Sequence, residues 1–181
     1  MKTGRPAGHT GRMRRVLVVG MSGAGKTTAA RRVGAKLGLP FHEMDALALG
    51  PNWSQPPGLV DEVKRITDEP AWIFDSWGYP AVRDILWESA DTILWLDYPA
   101  RVVLPRLIRR SVIRTATNTE VFGGNRETLR EWLNPEHPVW SAAATFRQRR
   151  EYLFDRTAGS PHYRTVRFAS PAEFERWCSL L

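Results

Sequence analysis

Residues 16–34 read VLVVGMSGAGKTTAARRVG, an apolar run that breaks on glycines and resumes as an amphipathic stretch. The opening Val-Leu-Val-Val has no polar alternation, which suits a strand buried on both faces of a parallel sheet. After the glycines, Ala30, Val33 and Leu37 share one face of a helix. That helix is expected to stop at Gly38, with Pro40 just beyond.

Between strand and helix, Gly20-Met21-Ser22-Gly23-Ala24-Gly25-Lys26-Thr27 satisfies every fixed position of G-x-x-x-x-G-K-[ST]. Glycines let successive backbone N–H groups turn inward as an anion nest, and the helix N-terminus adds partial positive charge. The candidate phosphate-binding residues are therefore Gly20, Ser22, Gly23, Ala24, Gly25, Lys26, Thr27 and Thr28. Lys26 is expected to reach the β- and γ-phosphates, and Thr27 to place its hydroxyl on Mg²⁺. The motif implies a bound nucleoside triphosphate. It does not by itself imply transfer of a phosphate.

Working outward, four more short apolar runs read as strands: Phe41–Glu43, Ala71–Asp75, Thr92–Asp97 and Arg164–Phe168. With the first, at Arg15–Val19, they alternate with helical segments and predict a three-layer α/β domain. The last helix opens with Ser170-Pro171-Ala172-Glu173, a capping box with proline at the first helical position. Residues 51–58, PNWSQPPG, form a turn-rich loop. Residues 111–138 are expected to form a small lid-like insertion, a plain surface excursion being the alternative.

In open α/β sheets, ligands gather at the carboxyl ends of the strands. Asp45, Asp75 and Asp97 stand at such ends. Asp75, closing the run AWIFD, is the first choice for the Mg²⁺ shell together with Thr27. Asp45 faces the presumed acceptor side, where it would orient or deprotonate a hydroxyl. Asp97 is expected to cap the following helix. Capping or ion pairing is the alternative for the other two.

In ARVVLPRLIRRSVIR, Arg106, Arg110 and Arg114 recur at i, i+4, i+8 and share a helix face, with Arg109 alongside. Leu104, Leu107, Ile108 and Val112 supply its apolar face. Pro105 either marks the first turn or kinks the helix. Like charges in a row repel unless an anion neutralises them, and phosphoryl transfer spreads negative charge that guanidiniums stabilise. Arg106 and Arg110 are therefore candidate catalytic groups beside Lys26, Asp75 and Asp45. Arg126, Arg147, Arg149 and Arg150 are further candidates to close over the site, the alternative being a solvated basic face.

The chain carries 26 Lys and Arg against 19 Asp and Glu, a net charge of +7 that fits nucleotide or nucleic-acid partners. Residues 1–14 read as a flexible basic arm, with Met13 an alternative start, and lack the apolar segment of a secretory signal. Residues 15–181 read as one domain. The single cysteine, Cys178, cannot form an internal disulfide and points to a reducing cytoplasm.

These residues resemble the adenylate kinase-like branch of P-loop kinases. IFDSWGYP and WLDYP stand where adenylate kinases carry LDG-type and DVP-type turns. Arg106 and Arg110 follow Asp97 at spacings of nine and thirteen, as two lid-side arginines do there. With HEMDAL, the NW loop, GNRE and RFASPAEFERW, the pattern is most similar to bacterial proteins called adenylate kinase-like or DNA topology modulation proteins. The resemblance implies a P-loop kinase fold of nucleoside and nucleotide kinase type with a small helical lid. It also implies a five-stranded parallel sheet of order 2-3-1-4-5, ATP with Mg²⁺, and phosphoryl transfer.

The departures lie on the acceptor side. The arginine that grips AMP shortly after the third-strand aspartate is replaced by Ser76-Trp77-Gly78-Tyr79, and none closely follows Asp45. Zinc-type or β-rich lid motifs are missing. An ATP-dependent kinase acting on a nucleoside, a nucleotide other than AMP or another small hydroxyl compound is expected, with Trp53, Trp77 and Tyr79 available to stack on a ring. The alternative is a nucleotide-binding regulator associated with DNA, with weak or no kinase activity, although no DNA-reading module is recognisable.

Overall fold

Five strands, β1 (Arg15–Gly20), β2 (Phe41–His42), β3 (Trp72–Phe74), β4 (Thr92–Leu96) and β5 (Arg164–Phe168), form one sheet of order β2-β3-β1-β4-β5. Every pairing is parallel, so all five carboxyl ends meet at one edge. The computed structural model describes residues 13–126, 132, 138–159 and 162–181. Residues 1–12 of the expected arm, and 127–131 and 133–137 of the expected lid, lie outside the described residues.

The sheet is covered on both faces because its inner strands, β1, β3 and β4, carry apolar side chains on both faces. Val16 and Val18 of β1, with Leu94 and Leu96 of β4, point into one core. There they meet α1 (Lys26–Leu37) through Ala30 and Val33, and α7 (Pro171–Ser179) through Phe174 and Cys178. Leu17, Val19, Ile93 and Trp95 point the other way. They meet Val63 and Ile66 of α3 (Leu59–Thr67), Leu86 and Trp87 of α4 (Arg83–Ser89), and Leu153 of α6 (Pro138–Thr157). Each such side chain contributes about 1.5–3 kcal/mol on full burial, so the two layers together fix the register of the sheet. A short helix, α2 (Met44–Ala48), follows β2.

The local signals at the helix ends are realised. Gly38 adopts the left-handed conformation at φ 67°, ψ 34° and closes α1. Ser170 Oγ accepts from Glu173 N, and Glu173 Oε2 accepts from Ala169 N, so α7 begins on a reciprocal cap.

Helix α5 (Ala100–Ala116) departs from expectation. Its buried stripe is Val103, Leu107 and Ser111, whereas Ile108 and Val112 are exposed. Pro105 is the sixth residue, beyond the first turn, where its missing N–H removes one helical hydrogen bond. The stripe is displaced because α5 packs against the glycine-rich loop: a Cβ on Gly23 would lie 2.3 Å from Val103 O and 3.1 Å from Leu107 Cβ. Residues 111–116 are the last turns of α5, and residues 117–126 carry a 3-10 turn, Phe122–Gly124, and a bridge between Glu120 and Arg126.

Candidate active site

The loop from β1 to α1 is an anion cradle made of backbone. Gly25 caps α1 in a left-handed conformation, φ 89°, with no side-chain cap and no acidic residue in the first turn. The leading N–H groups of the helix, from Lys26 to Thr28, are thus left for an anion, aided by the helix dipole. A Cβ on Gly25 would meet no atom within 4 Å, because that side opens onto the cradle, while its φ favours glycine. Met21 and Ala24 are buried beneath the loop and anchor it.

Asp75, just beyond β3, is buried and doubly engaged. Its Oδ2 accepts from Thr27 Oγ1 at 2.5 Å, and its Oδ1 accepts from Met44 N at 2.9 Å. The second bond ties the start of α2 to the end of β3. The first places a hydroxyl and a carboxylate side by side at the foot of the cradle. This pair suits Mg²⁺, which takes few protein oxygens and completes its shell with phosphate and water. Among the described residues, no cluster of three or more His, Cys, Asp or Glu gathers to hold a metal alone.

A cavity of about 830 Å³ opens above the cradle along the carboxyl edge of the sheet. It brings together Lys26, Thr27, Asp45, Asp75, Arg106 and Arg110, along with Ser22, Gly23, Gly25 and Thr28. Gly20 and Ala24 are not among its lining residues. Gly20 supports the loop from below, where its positive φ allows contact with Leu96.

Lys26 Nζ donates to Met21 O at 3.3 Å. Burial lowers the Lys26 pKa, Asp45 and Asp75 oppose that shift, and Arg110 and Arg149 add to it. Asp45, in the first turn of α2, accepts from the Tyr79 hydroxyl at 3.0 Å. Burial, followed by the Asp45 charge, raises the Tyr79 pKa, so the phenol remains a donor to that carboxylate.

Of the arginines on α5, Arg106, Arg110 and Arg114 all enter the cavity, while Arg109 is not among its lining residues. Arg149 enters from α6. Arg147 is exposed, and Arg126 faces Glu120 at 3.6 Å. Arg150 turns away to Asp97: Nε and Nη2 donate at 2.6 and 2.9 Å. Arg167 donates to the same carboxylate through Nε at 2.9 Å and through Nη2. Asp97 is therefore not the cap of α5, whose N-cap is Pro99 without a side-chain bond. It is the anchor between α6 and β5.

Two placements on the acceptor side were not foreseen. Arg83, the first residue of α4, reaches back into the cavity, its Nε donating to Gly78 O at 3.2 Å. Trp77 is stacked by protein cations, with Arg83 4.9 Å and Arg149 5.8 Å from its ring centre, and Tyr152 meets its edge. Trp53 is exposed and is not among the cavity's lining residues. The signal for Arg83 was a cation at the head of a helix following a strand-end aspartate, obscured by the intervening turn Ser76–Val82.

No family model matches the chain. It is 29% identical over 147 residues to a shikimate kinase of Paramagnetospirillum magneticum, covering 72% of this chain and 73% of that protein. The fold is similar to that of a shikimate kinase from Acinetobacter baumannii in complex with shikimate, with a TM-score of 0.57 and 17% identity over 93% of this chain and 90% of that one. A sugar kinase from Janibacter, solved unliganded, superposes with a TM-score of 0.50 and 22% identity, covering 92% and 93%. The fold expected from the resemblance is the one observed: a five-stranded parallel sheet of order 2-3-1-4-5, in a chain that superposes on the shikimate kinase of known structure. No described helix is long and apolar enough to cross a membrane.

Proposed function

We propose that the protein transfers the γ-phosphate of ATP to a hydroxyl of a small acceptor seated between the ends of β2 and β3. The observation that carries this reading is one cavity holding the Thr27–Asp75 pair, Lys26, the α5 arginines and Asp45 together. A protein that only bound nucleotide would have no use for a carboxylate facing the cradle from the far side.

The roles follow from charge and position. Backbone N–H groups of Lys26 to Thr28 and the Lys26 ammonium bind the β- and γ-phosphates. Thr27 and Asp75 hold Mg²⁺, which neutralises phosphate charge when bound. Arg106 and Arg110 stabilise the negative charge that spreads over the transferred group. The acceptor hydroxyl attacks the γ-phosphorus, the bond to the β,γ-bridging oxygen breaks, and ADP leaves. The hydroxyl proton passes to Asp45, which the Tyr79 hydroxyl holds in place. The similarity to shikimate and sugar kinases supports a hydroxylated, non-nucleotide acceptor.

The test is transfer of label from γ-labelled ATP in the presence of Mg²⁺ to a panel of shikimate, hexoses, hexonates, nucleosides and nucleoside monophosphates. Acceptor-dependent transfer that Lys26→Ala removes is the expected result. If no compound gains phosphate and Lys26→Ala changes nothing, the reading fails.

A further inference from the structure

Arg83, Arg114 and Arg149 are the three cavity-lining cations that the phosphoryl-transfer roles leave unassigned, and Arg83 and Arg149 stand together. Arg83 comes from α4 and Arg149 from α6, elements on the sheet face opposite α1, and both sit against Trp77. Arg83 also lies 5.5 Å from the Tyr152 ring. Neither makes an ion pair among the described residues, and the one hydrogen bond of Arg83, from Nε to Gly78 O, leaves its terminal nitrogens uncommitted.

Two other arginines of α6 are paired. Arg150, the next residue, is bound to Asp97, and Arg156, two turns along α6, is bound to Asp84 at 2.7 Å. Arg83 and Arg149, by contrast, enter the cavity with no carboxylate partner among the described residues. They lie close enough for the Arg83 charge to lower the Arg149 pKa, although burial is the larger cause. Two half-buried guanidiniums held together repel one another, and an anion between them removes that cost. Trp77 orients both through cation–π contact, so their planes are set before a ligand arrives.

We infer that Arg83 and Arg149, braced on Trp77, form an anion subsite, and that the acceptor is a small hydroxyl compound bearing a carboxylate or a phosphate. This rests on the kinase reading for the name of acceptor but not for the existence of the subsite. The position differs from the γ-phosphate arginines. Arg106 and Arg110 reach the cavity from α5, which follows β4, whereas Arg83 follows β3 on the other side of β1. The acceptor-side cation that the sequence lacks directly after Asp75 is thereby supplied from the start of α4 and from α6. An anion held there places the remainder of the molecule over Asp45 and Tyr79, which line the same side of the cavity.

The experiment measures binding separately from turnover. Full-length protein loaded with Mg²⁺ and a non-hydrolysable ATP analogue is titrated calorimetrically with shikimate, gluconate, glucose 6-phosphate, glucose and adenosine. At least one charged compound is expected to bind about tenfold or more tightly than the neutral ones, and Arg83→Ala and Arg149→Ala are each expected to remove about that factor. Arg83→Lys and Arg149→Lys keep the charge and should recover part of it, which separates loss of the subsite from loss of fold. Preference for the carboxylates or for the sugar phosphate then identifies the anion. Equal binding of charged and neutral compounds, charged binding indifferent to both alanine variants, or no charged compound binding overturns the inference. Release of ADP is measured with the same compounds. Charged binding without ADP release leaves the subsite standing and overturns the kinase reading instead.

Discussion

Thr27 and Asp75, 48 residues apart in the chain, are joined by a 2.5 Å hydrogen bond from the threonine hydroxyl to Asp75 Oδ2. The contact depends on the parallel pairing of β1 with β3, which brings the end of one strand beside the loop that follows the other. Asp75→Asn keeps an oxygen for the Met44 amide and removes the charge. Phosphoryl transfer should fall on the order of 10²-fold or more, as when one charge-stabilising group is lost. Melting should shift by only a few degrees. A steady-state assay across Mg²⁺ concentrations, paired with thermal unfolding, checks both parts. A variant with unchanged kcat at saturating Mg²⁺ would remove Asp75 from the metal's shell.

Asp97 is a second strand-end acid with a different task. Its side chain is 3% exposed, against 48% for Arg150 and 42% for Arg167. Loss of a fully buried partner costs about 3–5 kcal/mol, and solvent screening of the half-exposed arginines reduces this to about 1–3 kcal/mol for Asp97→Asn. Because Arg150 is adjacent to Arg149, the variant should also loosen the grip of α6 on the cavity. Urea unfolding measures the first effect. The affinity for a charged acceptor relative to that for ATP measures the second, and only the acceptor affinity should weaken.

The legible features were those whose cause is local. The glycine loop, the Gly38 stop and the Ser170 cap each follow from a few neighbouring residues, and the inner strands β1, β3 and β4 showed themselves as apolar runs because both faces are buried. Asp97 was misjudged for the opposite reason. Its partners lie 53 and 70 residues downstream, so only the nearby helix start was visible as a candidate. The face of α5 was likewise decided from outside the helix, by contact with Gly23, which favours Val103, Leu107 and Ser111 over the more apolar set containing Ile108 and Val112. Arg83 was hidden by the turn between β3 and α4, since a fixed offset from Asp75 no longer locates it.

Asn125 clasps the loop after α2 to the loop after α5. Its Nδ2 donates to Gly50 O at 2.8 Å and Phe122 O at 2.6 Å, and its Oδ1 accepts from Trp53 N at 3.1 Å. Asn52 and Trp53 are held in left-handed conformations at φ 55° and 58°. Gly123 lets the two loops touch, since a Cβ there would lie 2.4 Å from Gly50 C and O. Asn125→Ala should cost about 1–3 kcal/mol through unsatisfied partners, and Gly123→Ala at least as much through strain and collision. Hydrogen exchange at the Trp53 amide should quicken in both. Retained protection in Asn125→Ala would show that the clasp is held by other contacts.

Lys26 carries the pH prediction. Burial sets its pKa in the folded, ligand-free protein below the ordinary 10.5. Below the lowered value Lys26 is charged in both states, and the full desolvation cost weighs against folding. Between the lowered value and the unfolded one, the unfolded chain binds more protons, so this lysine makes stability rise with pH. Compared with Lys26→Met, the ligand-free protein should therefore gain stability through that alkaline window. Triphosphate binding reverses the shift, because the incoming negative charge favours the ammonium. Within that window, binding of an ATP analogue should take up protons, seen as a calorimetric enthalpy that varies with the buffer's ionisation enthalpy. The Lys26→Met variant should lose the lysine's share of that uptake, and equal proton uptake in the two proteins would place the titrating group elsewhere.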